Sequence, residues 1–436
     1  MSAVDTGLLA DLQARGLVAQ MTGDDALKGY LSEGSRTLYC GFDPTADSLH
    51  IGSLVPLLTL KRFQQAGHKP LALVGGATGL IGDPSGKSEE RNLNTPDIVA
   101  GWADKLRAQV SCFIDFEAGD NAAEVVNNLD WTKDFSMLDF LRDVGKHFAV
   151  NQMIHKESVK QRIDREGAGI SYTEFTYMIL QSLDFAELYK SHKCTLQIGG
   201  SDQWGNITGG VELARRMHGG HVFGMTLPLV TKSDGTKFGK TEDGTIWLDP
   251  GKTSPYAFYQ FWLNTADADV YKFLRYFTFL SVEKIQQVED EDKAGGGRPQ
   301  AQGVLAEEVT RLVHGEDGLE AAKRITTALF SGELDELSEN DFQQLALDGL
   351  PSSELKSADL ELPLTSLLTE CGMVKAGREV KDALSRNAVL INGEAKGAED
   401  NMKAAECFAV ERARNNRFFL IKLGKKKHHL LMLESR

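Results

Sequence analysis

One stretch limits the possible folds more than any other: Leu38-Tyr-Cys-Gly-Phe-Asp-Pro-Thr-Ala-Asp-Ser-Leu-His-Ile-Gly-Ser-Leu-Val-Pro56. A short apolar run passes through a Gly/Asp-Pro turn and enters an apolar-periodic segment at Leu49, which reads as a strand, a turn and a helix start. Such units bind nucleotides, because free backbone N–H groups and the positive end of the helix dipole face the phosphates. The glycine fingerprint of dinucleotide folds is absent, and Thr45 and His50 stand at the turn instead. A histidine and a hydroxyl beside a phosphate site can stabilise charge that develops on a leaving pyrophosphate. The stretch predicts a nucleotidyl-transfer site on an α/β fold.

The next apolar run, Pro70 to Thr78, closes in glycines, as a buried parallel strand should. It leads into Gly79-Leu-Ile-Gly-Asp-Pro-Ser-Gly-Lys-Ser88, which imitates a phosphate loop. The Walker pattern needs glycine where Ile81 stands, and Pro84 removes an N–H from the cradle, so that reading fails. Asp83, Lys87 and Arg91 remain as a carboxylate and two cations at a strand's carboxyl end, where α/β folds bind ligands. A solvated loop accounts for the same composition equally well.

At 436 residues the chain exceeds one typical core and predicts two or three domains. Its apolar runs fall far short of the ~20 residues that cross a bilayer, and its N-terminus lacks the basic region of a secretory signal. A membrane partner is therefore not expected. Five scattered cysteines make neither a disulfide framework nor a zinc site, which suits a reducing cytoplasm and predicts no metal site. The net charge of −14 argues against a polyanionic partner until its distribution is considered. Residues 361–436 hold 14 Lys+Arg against 10 Asp+Glu, a balance of +4, which leaves −18 for the first 360. That asymmetry marks the C-terminal segment as a candidate nucleic-acid contact.

In chain order, residues 1–36 read as a helical lead-in, and 118–164 as a largely helical insertion between two halves of a nucleotide fold. Tyr172 to Phe185 is a helix on which Tyr177, Gln181 and Asp184 share one face. A polar stripe is usually a solvated side, yet this one could hold an amino acid's amine and a hydroxyl. After the strand Thr195–Gly200, Asp202 can accept from a ribose hydroxyl. The strand Gly224–Val230 completes a catalytic domain over 1–230. A loop at 231–250 follows, in which Lys232, Lys237 and Lys240 stand among glycines and hydroxyls; such loops are mobile, and lysines three apart can reach one phosphate chain. Residues 251–345 read as a helical domain and 346–360 as a polar linker. The basic segment 361–436 reads as a helix, a strand, an Asn-Gly turn and a closing hairpin.

His50-Ile-Gly-Ser53 after a nucleotide-fold strand, together with Lys237-Phe-Gly-Lys-Thr241 after the last strand, resembles the two signatures of class I aminoacyl-tRNA synthetases. Tyr39 to Gly52, Gly79 to Ser85, the Tyr177/Gln181/Asp184 helix and Leu196 to Asn206 extend the likeness to the bacterial tyrosyl-tRNA synthetase family. The last 75 residues resemble that family's S4-type RNA-binding domain. The resemblance implies a Rossmann-type parallel-sheet catalytic domain with a helical insertion, then a helical domain for the tRNA anticodon region and a small α+β S4-like domain. It implies activation of L-tyrosine by Mg-ATP with no tightly bound cofactor, transfer of tyrosine to tRNA(Tyr), and a homodimer through 118–164. It places Thr45, His50, Lys87, Arg91, Lys237, Lys240 and Thr241 on the triphosphate. Cys40, Asp43, Gly52, Ser53, Gly200 and Asp202 would serve the rest of ATP. Tyr39 and Asp184 would bracket the substrate's phenolic hydroxyl, Tyr177, Gln181 and Asp83 its amine, with Gln203 near its carboxylate.

The chain departs from the family pattern at three points. Ser53 replaces the second histidine of the first signature, Phe238 and Gly239 stand where Met and Ser are usual, and Leu183 replaces an aromatic before Asp184. Two other readings remain: the sister tryptophanyl enzyme, which should lack the Tyr39/Asp184 pair and the S4-like tail, and a non-catalytic RNA-binding protein, which should lose the signature residues.

Overall fold

The computed structural model describes residues 4–434 except 86–93, 157–158, 161–162, 164–168, 234, 236–237, 242–243, 296–298 and 425–426; at Lys240 and Thr241 it describes the backbone. The chain forms two compact units, Met1–Leu248 with Ala266–Ala301, and Asp249–Thr265 with Gln302–Arg436.

The first unit is built on six strands: β1 (Gln20–Met21), β2 (Thr37–Phe42), β3 (Lys69–Val74), β4 (Glu124–Asn127), β5 (Cys194–Gly200) and β6 (Phe223–Leu227), in the order β1-β6-β5-β2-β3-β4. Strands β2 to β6 run parallel, and β1 adds an antiparallel edge with Gln20 opposite Thr226. From β2 the chain moves outward through β3 and β4, then returns to the other side of β2 with β5 and β6. The strand order therefore reverses between β2 and β5, the position at which open α/β sheets bind ligands. Leu38, Leu71, Leu196, Ile198 and Met225 are all buried, as strands covered on both faces require.

Helix Tyr172–His192 starts at Ser171, whose Oγ accepts from the Glu174 N–H at 3.2 Å, and stops at Lys193, which takes a left-handed φ of 54°. It packs on helix Trp204–His218, where a Cβ on Gly210 would come within 3.1 Å of the Phe185 ring. Glycine at 210 thus sets the approach of the two helices, and Phe185 seals it from beneath Tyr39, ring centroids 5.4 Å apart.

Two stretches differ from the helical expectation. The lead-in contains β1 between helices Leu8–Ala14 and Asp24–Ser32, and 118–164 contains β4, the outer parallel strand. Both strands are edge strands of two and four residues, too short to show an alternating pattern. Residues 266–301 also belong to the first unit rather than to the helical domain expected over 251–345. There Arg15 donates to the Leu280 carbonyl at 2.8 Å, and the buried Arg62 guanidinium bonds the Thr278 carbonyl and lies 4.5 Å from the Phe279 ring centroid.

The first unit also holds a two-stranded ribbon of β7 (Lys240–Thr241) and β8 (Gly244–Thr245); in the second unit, β9 (Ser352–Leu355), β10 (Val389–Ile391), β11 (Glu394–Lys396), β12 (Phe418–Leu423) and β13 (Lys427–Leu433) form a sheet in the order β11-β10-β12-β13-β9. The Asn392-Gly393 turn has φ of 48° and 87°, which is the geometry that favours Asn-Gly in tight hairpins. The expected linker 346–360 supplies β9, parallel to β13 with Ser352 opposite Leu430. Ser-Ser-Glu-Leu carries no apolar run, because an edge strand has only one neighbour. Ile325 and Phe342 from the helices share a core with Phe418 and Leu430 from the sheet, and the rings of Phe342 and Phe418 stack 5.2 Å apart. Helices and sheet are one body here, where the sequence reading divides them.

Candidate active site

A cavity of about 570 Å³ opens at the carboxyl ends of β2, β3, β5 and β6. It is lined by Tyr39, Cys40, Asp43, Thr45, His50, Gly52, Ser53, Asp83, Tyr177, Gln181, Asp184, Gly200, Asp202 and Gln203. Fourteen of the residues singled out in sequence, separated by as many as 164 positions, therefore meet in one hollow. Lys87, Arg91 and Lys237 lie outside the described residues, as do the side chains of Lys240 and Thr241.

The floor is dry. Tyr39 and Asp184 are buried, and the Tyr39 hydroxyl has no hydrogen-bond partner among the described residues. Asp184 accepts from Asn128 Nδ2 at one oxygen and from Trp131 Nε1 at the other, each at 3.0 Å. Burial, reinforced by the charge of Asp43, still pushes Asp184 up to about 8 against those two bonds. Burial and Asp184 together raise the Tyr39 phenol well above its usual range, so it stays protonated. Burial likewise pushes the Cys40 thiol up to about 12, so the site contains a thiol and not a thiolate.

Beside the floor is a group of acceptors. The Tyr177 hydroxyl donates to Asp43 Oδ2 at 2.7 Å, which leaves its own oxygen to accept, and burial followed by Asp43 holds it protonated. Gln203 Nε2 donates to Asp83 Oδ2 at 2.8 Å. Asn206 Nδ2 donates to Gln181 Oε1 at 2.9 Å and to Gln203 Oε1 at 3.1 Å, fixing both amides. The stripe on helix Tyr172–His192 is thus turned into the cavity and is not its solvated side. Asp202 at the rim is raised first by the walls that desolvate it and then by Asp83, while its outer edge stays open to water.

At the mouth, Thr45 and His50 are exposed. The Gly52 N–H donates to His50 Nδ1 at 3.0 Å. Downstream, a chain segment returns to this turn: the Ile51 N–H bonds the Ile246 carbonyl at 3.0 Å, and the Leu248 N–H bonds the Leu49 carbonyl at 2.9 Å, so that His50 pairs with Trp247 as an antiparallel bridge. The lysine loop is seated from the same side. Its Phe238 ring lies against Phe273 and Phe277 with centroids at 4.9 and 5.2 Å, and Gly239 has φ +79° with no room for a Cβ, which would meet Ile51 at 2.4 Å. The departures Phe238 and Gly239 are therefore structural: an aromatic plug and the only residue type that fits beside Ile51.

Sequence reasoning missed Asn128, Trp131, Thr78 and Asn206, which hold the contact residues without lining up with them in any period. Asn128-Leu-Asp-Trp131 lies inside the stretch read as a helical insertion, and Asn206 is quoted with its motif but carries no role there.

Residues 31–331 match the family of class I tRNA synthetases (W and Y), and residues 341–431 match the tyrosine--tRNA ligase SYY-like C-terminal domain. The chain is 64% identical over 426 residues to the tyrosine--tRNA ligase of Aliivibrio fischeri (strain MJ11), covering 97% of this chain and 98% of that protein. It is 58% identical over 427 residues to that of Escherichia coli (strain 55989 / EAEC), covering 98% and 99%. Among solved structures, a C-terminally truncated mitochondrial tyrosyl-tRNA synthetase from Aspergillus nidulans superposes with a TM-score of 0.67 at 30% identity, over 74% of this chain and 94% of that one. A catalytic match and a C-terminal match on one chain, with such identity along nearly its whole length, place it among the class I aminoacyl-tRNA synthetases, in the tyrosine–tRNA ligase family.

Proposed function

We propose that the cavity is where this tyrosine–tRNA ligase forms tyrosyl-adenylate, with tyrosine on the floor and ATP across the mouth. The observation that carries this reading is the buried Tyr39 hydroxyl, unpartnered among the described residues, beside the buried carboxyl of Asp184. A substrate phenol would accept from Tyr39 and donate to Asp184, pairing both. Phenylalanine would leave the buried Tyr39 hydroxyl unpaired and give Asp184 no donor beyond Asn128 and Trp131, a penalty that the burial of polar groups makes large.

The tyrosine ammonium would donate to Tyr177 Oη, Gln181 Oε1 and Asp83, with Gln203 near the carboxylate. That carboxylate is ionised at neutral pH and needs no base. Its oxygen attacks the α-phosphorus of ATP, the bond to the β-phosphate oxygen breaks, and pyrophosphate leaves with the electron pair. What the protein supplies is position and charge stabilisation. Thr45 and His50 would face the γ-phosphate, and Lys87, Arg91, Lys237, Lys240 and Thr241 would close on the triphosphate, whose magnesium arrives with ATP as substrate. Cys40, Asp43, Gly52, Ser53, Gly200 and Asp202 would line the ribose and adenine side. Ser53 retains a hydroxyl for the ribose where the family pattern has histidine. The tyrosyl group then passes to the terminal adenosine of tRNA(Tyr), and the cytoplasm is the compartment that the free cysteines suit.

Tyrosine-dependent exchange of pyrophosphate into ATP tests the first step; exchange with tryptophan instead, or none with tyrosine, overturns it. For the second step, deletion from residue 361 would strip Phe342 and Ile325 of Phe418, Leu420 and Leu430 from their core. Charge reversal of exposed Arg378 and Lys381 on helix Gly377–Leu384 is the cleaner test, and should lower tRNA charging while exchange persists. The homodimer would form through the insertion 118–164, with Met137, Leu138, Leu141, Val150 and Ile154 exposed there. Leu138→Asp should then yield monomers in sedimentation.

A further inference from the structure

The cavity's two polar ends are joined through Asp43 by two buried side chains, Thr78 and Asn128, to which the proposed substrate contacts give no role. Tyr177 donates to Asp43 Oδ2 at 2.7 Å, and Thr78 Oγ1 donates to Asp43 Oδ1 at 2.6 Å. Asn128 Nδ2 donates to Thr78 Oγ1 and to Asp184 Oδ2, each at 3.0 Å. The Asn128 carbonyl accepts from the Ala77 N–H at 2.7 Å, which fixes the orientation of the amide. With its oxygen held, the single NH2 group cannot tilt toward Thr78 without loosening its bond to Asp184. The packing leaves no slack: a Cβ on Gly75 would lie 2.0 Å from Asp43 Oδ1 and 2.3 Å from Thr78 Oγ1. Thr78, Asn128 and Asp184 are all buried, while Asp43, half-buried, is the link that faces the cavity.

We propose that Thr78 and Asn128 are a positioning relay through which recognition of the substrate's ammonium and recognition of its phenolic hydroxyl become cooperative. The proposal rests on tyrosine being the substrate. An ammonium on Tyr177 Oη sharpens the acidity of the Tyr177 hydroxyl and strengthens its bond to Asp43, which then draws less on Thr78; Thr78 in turn draws less on Asn128, whose amide donates more strongly to Asp184 and favours its ionised form. Bonds in such a chain polarise one another in a low-dielectric site. The cation also offsets the field of Asp43, one of the causes that disfavour charge on Asp184. Asp184 thus becomes the stronger acceptor for the phenol once the other end of the substrate is seated.

The test is equilibrium binding of ligand pairs that differ by the para-hydroxyl. These are tyrosine and phenylalanine, tyramine and phenethylamine, and the amine-free 3-(4-hydroxyphenyl)propionate and 3-phenylpropionate. The hydroxyl preference should be at least about fivefold larger in the two amine-bearing pairs than in the amine-free pair, the lower end of coupling between sites. Thr78→Val should bring the preferences together, and Thr78→Ser should keep them apart. Equal preferences in the unchanged protein overturn the relay without needing any variant to fold, as does a Thr78→Val protein that keeps the difference. A tyramine pair that behaves like the amine-free pair also overturns it, since the substrate carboxylate would then be the cause. If tyrosine itself fails to bind, the substrate reading falls; if tyrosine binds, phenylalanine is rejected and the preferences are equal, the relay alone falls.

Discussion

The Gly52 N–H donates to His50 Nδ1 across 3.0 Å, so Nδ1 carries the lone pair and Nε2 carries the proton. The imidazole is thereby preset as a donor at the cavity lining, where, on the function proposed, negative charge would grow on the leaving pyrophosphate. His50→Ala should lower kcat for adenylate formation by about 10²–10³, the usual effect of losing one such donor, with tyrosine affinity nearly unchanged. Gly52→Ala is the subtler case. Its Cβ would lie 2.7 Å from His50 Cε1, so it should turn the ring aside and lower kcat without touching the tyrosine floor. Pre-steady-state adenylate formation and tyrosine titration, run on both variants, check the split; a tyrosine affinity that falls with kcat would contradict it.

Tyrosine affinity should depend on pH through Asp184. Its carboxyl is pushed up to about 8, first by burial, so the substrate-free fold holds a proton there at pH 7 that an unfolded chain has lost. The sign follows: this group's contribution to stability declines as pH rises from about 4 to about 8. A phenol that donates to Asp184 favours the ionised form, so tyrosine should bind more tightly as pH rises toward about 8, and binding at pH 7 should release about one proton per site. Calorimetry in two buffers of different ionisation enthalpy measures that proton. Asp184→Asn should abolish both the release and the pH dependence.

Helix Tyr172–His192 ends at exposed Lys193 with φ 54°, a conformation that costs a side-chain-bearing residue about 1–2 kcal/mol. Lys193→Gly should relieve most of that and raise stability by about 0.5–1 kcal/mol, after glycine's greater loss of chain entropy. Urea unfolding of the two proteins decides it, with exchange activity unaltered because Lys193 is remote from the cavity lining.

Phe238 holds the lysine loop by its ring between Phe273 and Phe277. Phe238→Ala should leave the loop's backbone tied at Gly239 but unplugged at its side, which on the function proposed would raise the entropy to be lost as its lysines engage ATP. We expect kcat for adenylate formation to fall about tenfold with tyrosine affinity unchanged. Phe238→Met, which is the commoner residue in the family pattern, should restore most of it.

What could be read in advance follows the range over which each residue acts. The strand–turn–helix at Leu38–Pro56 and the triad Tyr177, Gln181 and Asp184 were visible because a local period displays them, and their convergence follows from a strand order that reverses beside β2. Asn128 and Trp131 were not visible, since nothing local distinguishes a residue that will brace a carboxylate 53 to 56 positions away. The edge strands β1, β4 and β9 escaped for a related reason: they are short and pair on one side, so they need little apolar patterning of their own. The division of the helices from the C-terminal sheet failed because charge, which changes at 361, marks a surface, whereas Phe342 against Phe418 marks a core.

The hydrogen bonds between residues 49–51 and 246–248 also bear on the order in which the protein is made. Synthesis delivers the N-terminal end first, so the turn that carries His50 leaves the ribosome long before the strand that seats it. A nascent chain that ends ahead of residue 246 contains Thr45, His50 and the whole tyrosine floor, yet holds the phosphate end of the site open on one side. On the function proposed, amino-acid recognition can thus mature during translation, while competence for chemistry waits for residues 246–248 to arrive.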